Sequence, residues 1–277
     1  MPDRSAVSYI YDGSFEGFLS LVFESWRKKE LPSLVFPAGK EQPTLFPSFF
    51  IETDTAHAQR VKKGIVKAGG TTVLINIERC FLSCAAEKEL LLLDYIRLCF
   101  VESVKVLSMH VDETVRAVEK AALACAREGH HYKGFARFSV HGGVMTAVIE
   151  PKNCILPLIA DHFCERYHEE SFIIFDKTNS LALIYSKGSR VLIPMENFEP
   201  PRADTGELET RRLWKLFYNT IAIEQRENPH CRMSLMPKRF WSRLTEMEGN
   251  AEFPILPQPD DFNTRTVGRT NKPELPP

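Results

Sequence analysis

Between positions 211 and 243 the chain carries Arg211, Arg212, Lys215, Arg226, Arg232, Lys238, Arg239 and Arg243 against only Glu224 and Glu227, a local excess of six positive charges (8 − 2). Trp214, Phe217, Tyr218, Phe240 and Trp241 are interleaved among them. Guanidinium and ammonium groups neutralise phosphates, and aromatic faces stack bases. The combination therefore reads as a DNA contact, with Arg211, Arg212, Lys215, Arg226, Lys238, Arg239, Trp241 and Arg243 as the candidate groups. A plainer arrangement fits the same residues. Leu213, Phe217, Ile221 and Phe240, Leu244, Met247 would face inward, leaving Arg211/Lys215 and Arg239/Arg243 as solvated pairs at i,i+4 spacing. Trp241 and its neighbouring arginines would equally serve a protein-binding adaptor, because interfaces favour the same residue types.

Other candidates are weaker. Lys133-Gly134-Phe135-Ala136-Arg137-Phe138 resembles the first RNA-recognition-motif signature in part, with Arg137 standing where an aromatic belongs and no second signature present. Arg137 remains a candidate phosphate contact on a strand of inward phenylalanines. His162, Cys164 and His168, with His130, His131 and His141, are zinc-type donors. On a helix, however, His162 and Cys164 point about 200° apart and cannot share an ion. Cys80 and Cys84 lack the third cysteine of an iron–sulfur motif and read as two buried thiols. Asp12 and Asp176 fit helix-cap and Asx-turn positions, and either would act as a general base only with a converging partner. There is no Walker loop, no dinucleotide glycine fingerprint and no nucleophile elbow. No cofactor and no metal are expected.

These groups sit on an ordinary globular background of 277 residues, 44% hydrophobic and 26% charged, with a net charge of −1. Such a chain has no global field drawing it to polyanions, so any such site must be local. Seven cysteines without paired spacing, and a start without a signal pattern, predict free thiols in a reducing cytoplasm. The apolar run from Glu89 to Leu107 is broken by Asp94, Arg97, Glu102 and Lys105. It predicts a buried helix and no membrane span.

The elements that position the candidates follow from periodicity. Val7, Tyr9 and Tyr11 alternate as a strand does, and Asp12-Gly13-Ser14 starts a helix whose buried stripe is Phe15, Phe18, Leu19, Val22, Phe23 and Trp26. A connection through Pro43 leads to a strand over Leu45–Ile51 and a cap around Thr53 and Asp54. Helices follow to Gly129, with breaks near Gly69-Gly70, Cys84 and Met109. The last of them spans 112–127 and is closed by Gly129. Two alternating runs, 135–141 and 144–150, flank Gly142-Gly143 as a hairpin. A short helix over 156–167 precedes strands at 172–175, 181–185 and 191–194. Asp204 and Glu207 form a capping box for a helix ending before Asn228-Pro229, and another helix begins at Pro237. The fold class is thus α+β, an antiparallel sheet of about five strands packed with a large helical portion. One domain is expected over 1–249, helix-rich over 1–129, sheet-rich over 130–200 and basic-helical over 201–249, followed by a disordered proline-rich tail over 250–277.

Four ordered stretches carry a family resemblance: Tyr11-Asp12-Gly13-Ser14-Phe15-Glu16-Gly17, Lys133-Gly134-Phe135-Ala136-Arg137-Phe138, Asp161-His162-Phe163-Cys164-Glu165-Arg166-Tyr167 and Met236-Pro237-Lys238-Arg239-Phe240-Trp241. Through them the chain resembles a bacterial family of DNA-metabolism or DNA-repair proteins. Its genes lie beside one for a radical S-adenosylmethionine protein, and its relatives occur fused to uracil-DNA-glycosylase-like domains. The resemblance implies an accessory role in DNA repair or modification, with DNA and that radical protein as partners. It transfers no catalytic residue, and the chain has neither the radical enzyme's three-cysteine cluster nor a glycosylase motif. The remaining alternatives are a DNA-processing enzyme acting through Asp12, His162 or Asp176, and the protein-binding adaptor.

Overall fold

A computed structural model describes residues 4–201 and 203–247; the proline-rich tail expected over 250–277 lies outside them. The chain divides into two compact units, Met1–Leu213 and Trp214–Pro277, and among the described residues no helix is long and apolar enough to cross a membrane.

The first unit begins with β1 (Ser5–Tyr11), whose alternation buries Tyr9 and Tyr11, and α1 (Phe15–Lys28). The Ser14 hydroxyl caps α1 by accepting from the Gly17 amide, which satisfies one of the helix's orphan donors. The helix stops at Lys29, which adopts a left-handed conformation (φ 56°). The connection expected next contains a further strand, β2 (Pro32–Pro37), before β3 (Ser48–Phe50). All three strands are parallel, in the order β2-β1-β3. Pro32 and Pro37 hid β2: proline removes a ladder donor and is tolerated only where the sheet does not need it, as on this edge strand.

Three further helices and a 3₁₀ turn pack on one another, on α1 and, through the second of these helices, on the sheet. α2 (Thr55–Phe81) is capped by the Asp54 carboxylate and kinks at Gly70, where φ 84° and ψ 176° suit glycine alone. α3 (Lys88–Glu102) runs into a 3₁₀ turn over Ser103–Ser108, and α4 (Glu113–Phe135) is capped by Asp112. Phe18, Leu21, Ile65, Ile77, Leu92, Ile96, Val115 and Val118 meet in one core, each contributing about 1.5–3 kcal/mol by burial. α4 outruns its expected end by two turns. Gly129 is not its stop but a buried interior position, where a Cβ would stand 3.5 Å from Ile159, an ordinary packing distance.

The rest of the unit is a five-stranded sheet in the order β4-β5-β6-β7-β8: β4 (Ser139–His141), β5 (Val144–Ile149), β6 (Ser171–Asp176), β7 (Leu181–Ser186) and β8 (Ser189–Pro194). It is mostly antiparallel, as expected, except that β5 and β6 pair in parallel because α5 (Leu156–Arg166) crosses over between them. The hairpin begins at 139 and not at 135, so Lys133-Gly134-Phe135 ends a helix and carries no strand-borne stacking surface. Phe138 turns inward, 5.5 Å from Phe163 and 5.3 Å from Tyr167 between ring centroids.

α6 (Thr205–Ile221) is followed by a 3₁₀ turn at 224–226, α7 (Pro229–Leu235) and further 3₁₀ turns at 238–243 and 245–247. An α-helix therefore begins at Pro229, with Asn228 accepting from the Cys231 amide, while the helix expected from Pro237 is a short 3₁₀ helix over Lys238–Arg243. Of the capping box only one half forms. Asp204 accepts from the Glu207 amide, while the Glu207 carboxylate turns elsewhere.

Candidate functional site

In the first unit, the cations expected to hold phosphate are engaged with carboxylates of their own chain. Arg211 Nε lies 2.8 Å from Glu207 Oε1, its Nη2 lies 2.9 Å from Ser139 Oγ, and Arg137 Nη2 is 4.0 Å from the same Glu207 oxygen. The Glu207 side chain is 4% exposed and also accepts from the Val140 amide. Burial would raise its carboxyl, but the Arg211 guanidinium, the Ser139 hydroxyl and the Val140 N–H outweigh it and hold Glu207 below the usual carboxylate range. Arg137 and Arg211 thus clamp the start of α6 to β4. Arg212 makes a two-pronged contact with Glu209, at 2.8 and 2.9 Å.

In the second unit the engagement is with ring faces and backbone. The Trp241 indole donates to the Met236 carbonyl at 2.9 Å, and its ring lies under Arg232 (5.6 Å) and Lys238 (5.9 Å). Arg239 sits 4.8 Å over Phe240, and none of Lys215, Arg239 and Arg243 is without a partner. Arg226 is exposed beside a hollow of about 630 Å³. Phe240 and Leu244 are buried as expected, whereas Leu213, Phe217 and Ile221 are exposed and do not form the inward stripe.

The structure brings the materials of the expected site together elsewhere, between α1, α2 and α3. Here Val22, Phe23, Trp26, Val61 and Phe100 line a groove of about 480 Å³ with Arg27 and Arg60. Trp26, expected in the core, is 48% exposed. Its ring meets Phe100 edge-on at 5.3 Å and carries the Arg97 guanidinium at 5.3 Å. Phe23 stacks on His57 at 3.9 Å and lies 5.6 Å under Arg60. Gly64 permits the arrangement, because a Cβ there would meet Phe100 at 3.3 Å.

Arg60, Lys63 and Lys67 are all exposed and fall at i, i+3 and i+7, in one line along α2. Among the described residues neither Arg60 nor Arg97 has a carboxylate at ion-pair distance, while Arg27 is paired with Glu24. Arginine over an aromatic face is worth about 0.5–1 kcal/mol when exposed, so Arg60 and Arg97 are held in place yet keep their charge for a ligand. Sequence reasoning missed this groove because Phe23 and Trp26 continue the apolar stripe of α1. The signal lay in two charge runs, Arg27-Lys28-Lys29 and Arg60 to Lys67.

The catalytic candidates are absorbed by turns. Asp12 accepts from Ser14 (2.9 and 2.7 Å) and from Thr53 (2.8 Å). Burial works against it, but these bonds prevail and hold its carboxyl below the usual carboxylate range. Asp176 is fully buried and accepts from Thr178 and twice from Asn179, and burial pushes its carboxyl up. His162 lies on α5 with burial depressing its basicity, and no three His, Cys, Asp or Glu groups gather as metal donors among the described residues. Cys80 is buried but Cys84 is exposed, which corrects the expectation of two buried thiols.

Comparison with known proteins adds a family. Its model, DUF4130, a domain of unknown function, matches residues 86–246, from the start of α3 through the last 3₁₀ turn. No match is found among curated proteins or among solved structures. With 161 of its 277 residues inside the match (246 − 86 + 1), the chain belongs to the DUF4130 family.

Proposed function

We propose that the chain is an accessory protein of DNA repair or modification that holds a single strand of DNA along the α1–α2–α3 groove, while a separate radical S-adenosylmethionine protein supplies the chemistry. The groove itself carries the reading. Trp26 offers a half-exposed ring in an apolar trough, with Arg97 held on it and Arg60 held on the neighbouring Phe23. A stacking platform beside a line of cations is what sequence-tolerant single-strand binding requires. The resemblance to DNA-metabolism proteins supports DNA as the polyanion and the radical protein as the partner. The basic stretch over 211–243 supports the reading less, since Arg137 and Arg211 clamp Glu207 and Arg212 pairs with Glu209.

The test is fluorescence anisotropy of a labelled single-stranded oligonucleotide with the full chain across a salt series. Binding should weaken steeply as salt rises, because each neutralised phosphate releases counterions. Absence of any salt-dependent binding would remove the DNA half of the reading and leave the radical protein as the partner to be tested.

A further inference from the structure

In the first unit's parallel sheet, β1 lies between β2 and β3, so the C-terminal end of β1 is where the strand order reverses. Open α/β sheets bind ligands in the crevice at such a point. Here a crevice of about 920 Å³ opens, lined in part by Tyr11, Phe15, Lys40, Phe81, Lys88 and Glu89.

Its chemistry is set by one carboxylate. Glu89, in the first turn of α3, is only 7% exposed. Its Oε1 accepts from the Tyr11 hydroxyl at 3.1 Å, and among the described residues Oε2 has no hydrogen-bond or ion-pair partner. Burial and the facing Glu89 carboxylate keep the proton on Tyr11, so its O–H is committed to Glu89 and has no proton left to offer a ligand. Oε2 keeps accessible surface, and Glu89 lines the crevice, so a donor entering there can reach this oxygen.

Beside Glu89, the rings of Phe15 and Phe81 lie 5.2 Å apart, tilted by 59°, and form an apolar wall. Lys88 donates to the Phe81 and Ser83 carbonyls at 2.5 and 3.1 Å, which anchors its charge at the wall. Lys40 is exposed on the loop after β2. Together these make a buried acceptor for N–H donors, a surface for a flat ring and two cations for an anion.

We propose that this crevice binds a nucleotide whose base presents adjacent N–H donors to Glu89, as guanine does through N1–H and its 2-amino group, with the ring against Phe15 and Phe81 and the phosphate toward Lys40 and Lys88. The ligand is either a free nucleotide or one unit of a strand, and the chemistry of recognition is the same. This inference does not depend on the DNA reading of the groove.

The experiment is calorimetric titration of the full chain with GMP, AMP and inorganic phosphate. GMP should bind at least tenfold more tightly than AMP, and phosphate alone should bind more weakly than either nucleotide. Glu89→Gln should lose at least tenfold in GMP affinity, and Arg60→Ala/Arg97→Ala should leave it unchanged. Should Glu89→Gln fail to fold, Lys40→Ala on the exposed loop takes its place, weakening GMP but not guanosine. A single-stranded hexamer with one central guanine that displaces GMP assigns the site to a strand, whereas failure to displace it assigns the site to the free nucleotide. Equal binding of AMP and GMP, no saturable GMP binding, or a folded Glu89→Gln chain with unchanged affinity would overturn the proposal.

Discussion

The cations of residues 211–243 and those of the α1–α2–α3 groove have matching composition and different partners. In the first set, arginine is spent inside the molecule: Arg211 clamps Glu207 and Arg212 forks onto Glu209. In the second, Arg60 and Arg97 rest on Phe23 and Trp26 without a carboxylate at ion-pair distance among the described residues. A salt bridge neutralises a guanidinium toward third parties, while an aromatic ring orients it and leaves its charge intact. Charge counted along a sequence therefore does not measure charge available to a ligand.

That contrast can be broken most forcefully at Trp26. Trp26→Ala should weaken single-strand binding by about 1–3 kcal/mol, the usual worth of one base–aromatic stack. Trp26→Phe, keeping a ring, should retain most of the affinity. Equal loss in both variants, measured by anisotropy, would mean that the ring is packing and not platform.

The opposite behaviour is expected at Glu207. Removing its carboxylate with Glu207→Ala takes away the acceptor of Arg211 Nε and of the Val140 amide, at a cost of about 2 kcal/mol in urea unfolding, with DNA affinity unaltered. The pH dependence has a definite sign. Because Glu207 is held below the ordinary carboxylate range when folded, its contribution is complete above the unfolded-state value and is lost as pH falls through the lower, folded one. Wild type should lose stability on that acidic descent, and Glu207→Gln should lose less. A parallel descent in both chains would remove Glu207 from the account.

Smallest is the expected effect of Arg239→Ala/Arg243→Ala. DNA affinity should stay within about 0.5 kcal/mol of wild type, as for substitutions away from a site. A larger loss in a folded variant would return the contact to the 211–243 stretch.

Much of this architecture is legible from local chemistry. The Ser14, Asp54 and Asp112 caps, the break at Gly69-Gly70 and the strands from Ser171 to Pro194 all follow from residue types that admit few backbone alternatives. The misses have physical causes. Pro32 and Pro37 disguise an edge strand, and Gly129 resembles a helix stop but lies buried within α4. The site was harder to read for two reasons. Glu207 and Glu209 lie just before the stretch whose charges were counted, yet one helical turn brings them beside Arg211 and Arg212. Periodicity, for its part, shows which face of α1 is apolar but not how far its neighbours cover it, so Trp26 read as core.

The central claim, that the groove between α1, α2 and α3 holds the strand, is tested most directly by the salt dependence of single-strand binding in wild type and in Arg60→Ala/Arg97→Ala. With two phosphates released, the slope of log affinity against log salt should fall in magnitude by about 1.4, at roughly 0.7 per contact on single strands. An unchanged slope in a folded double variant would contradict the account.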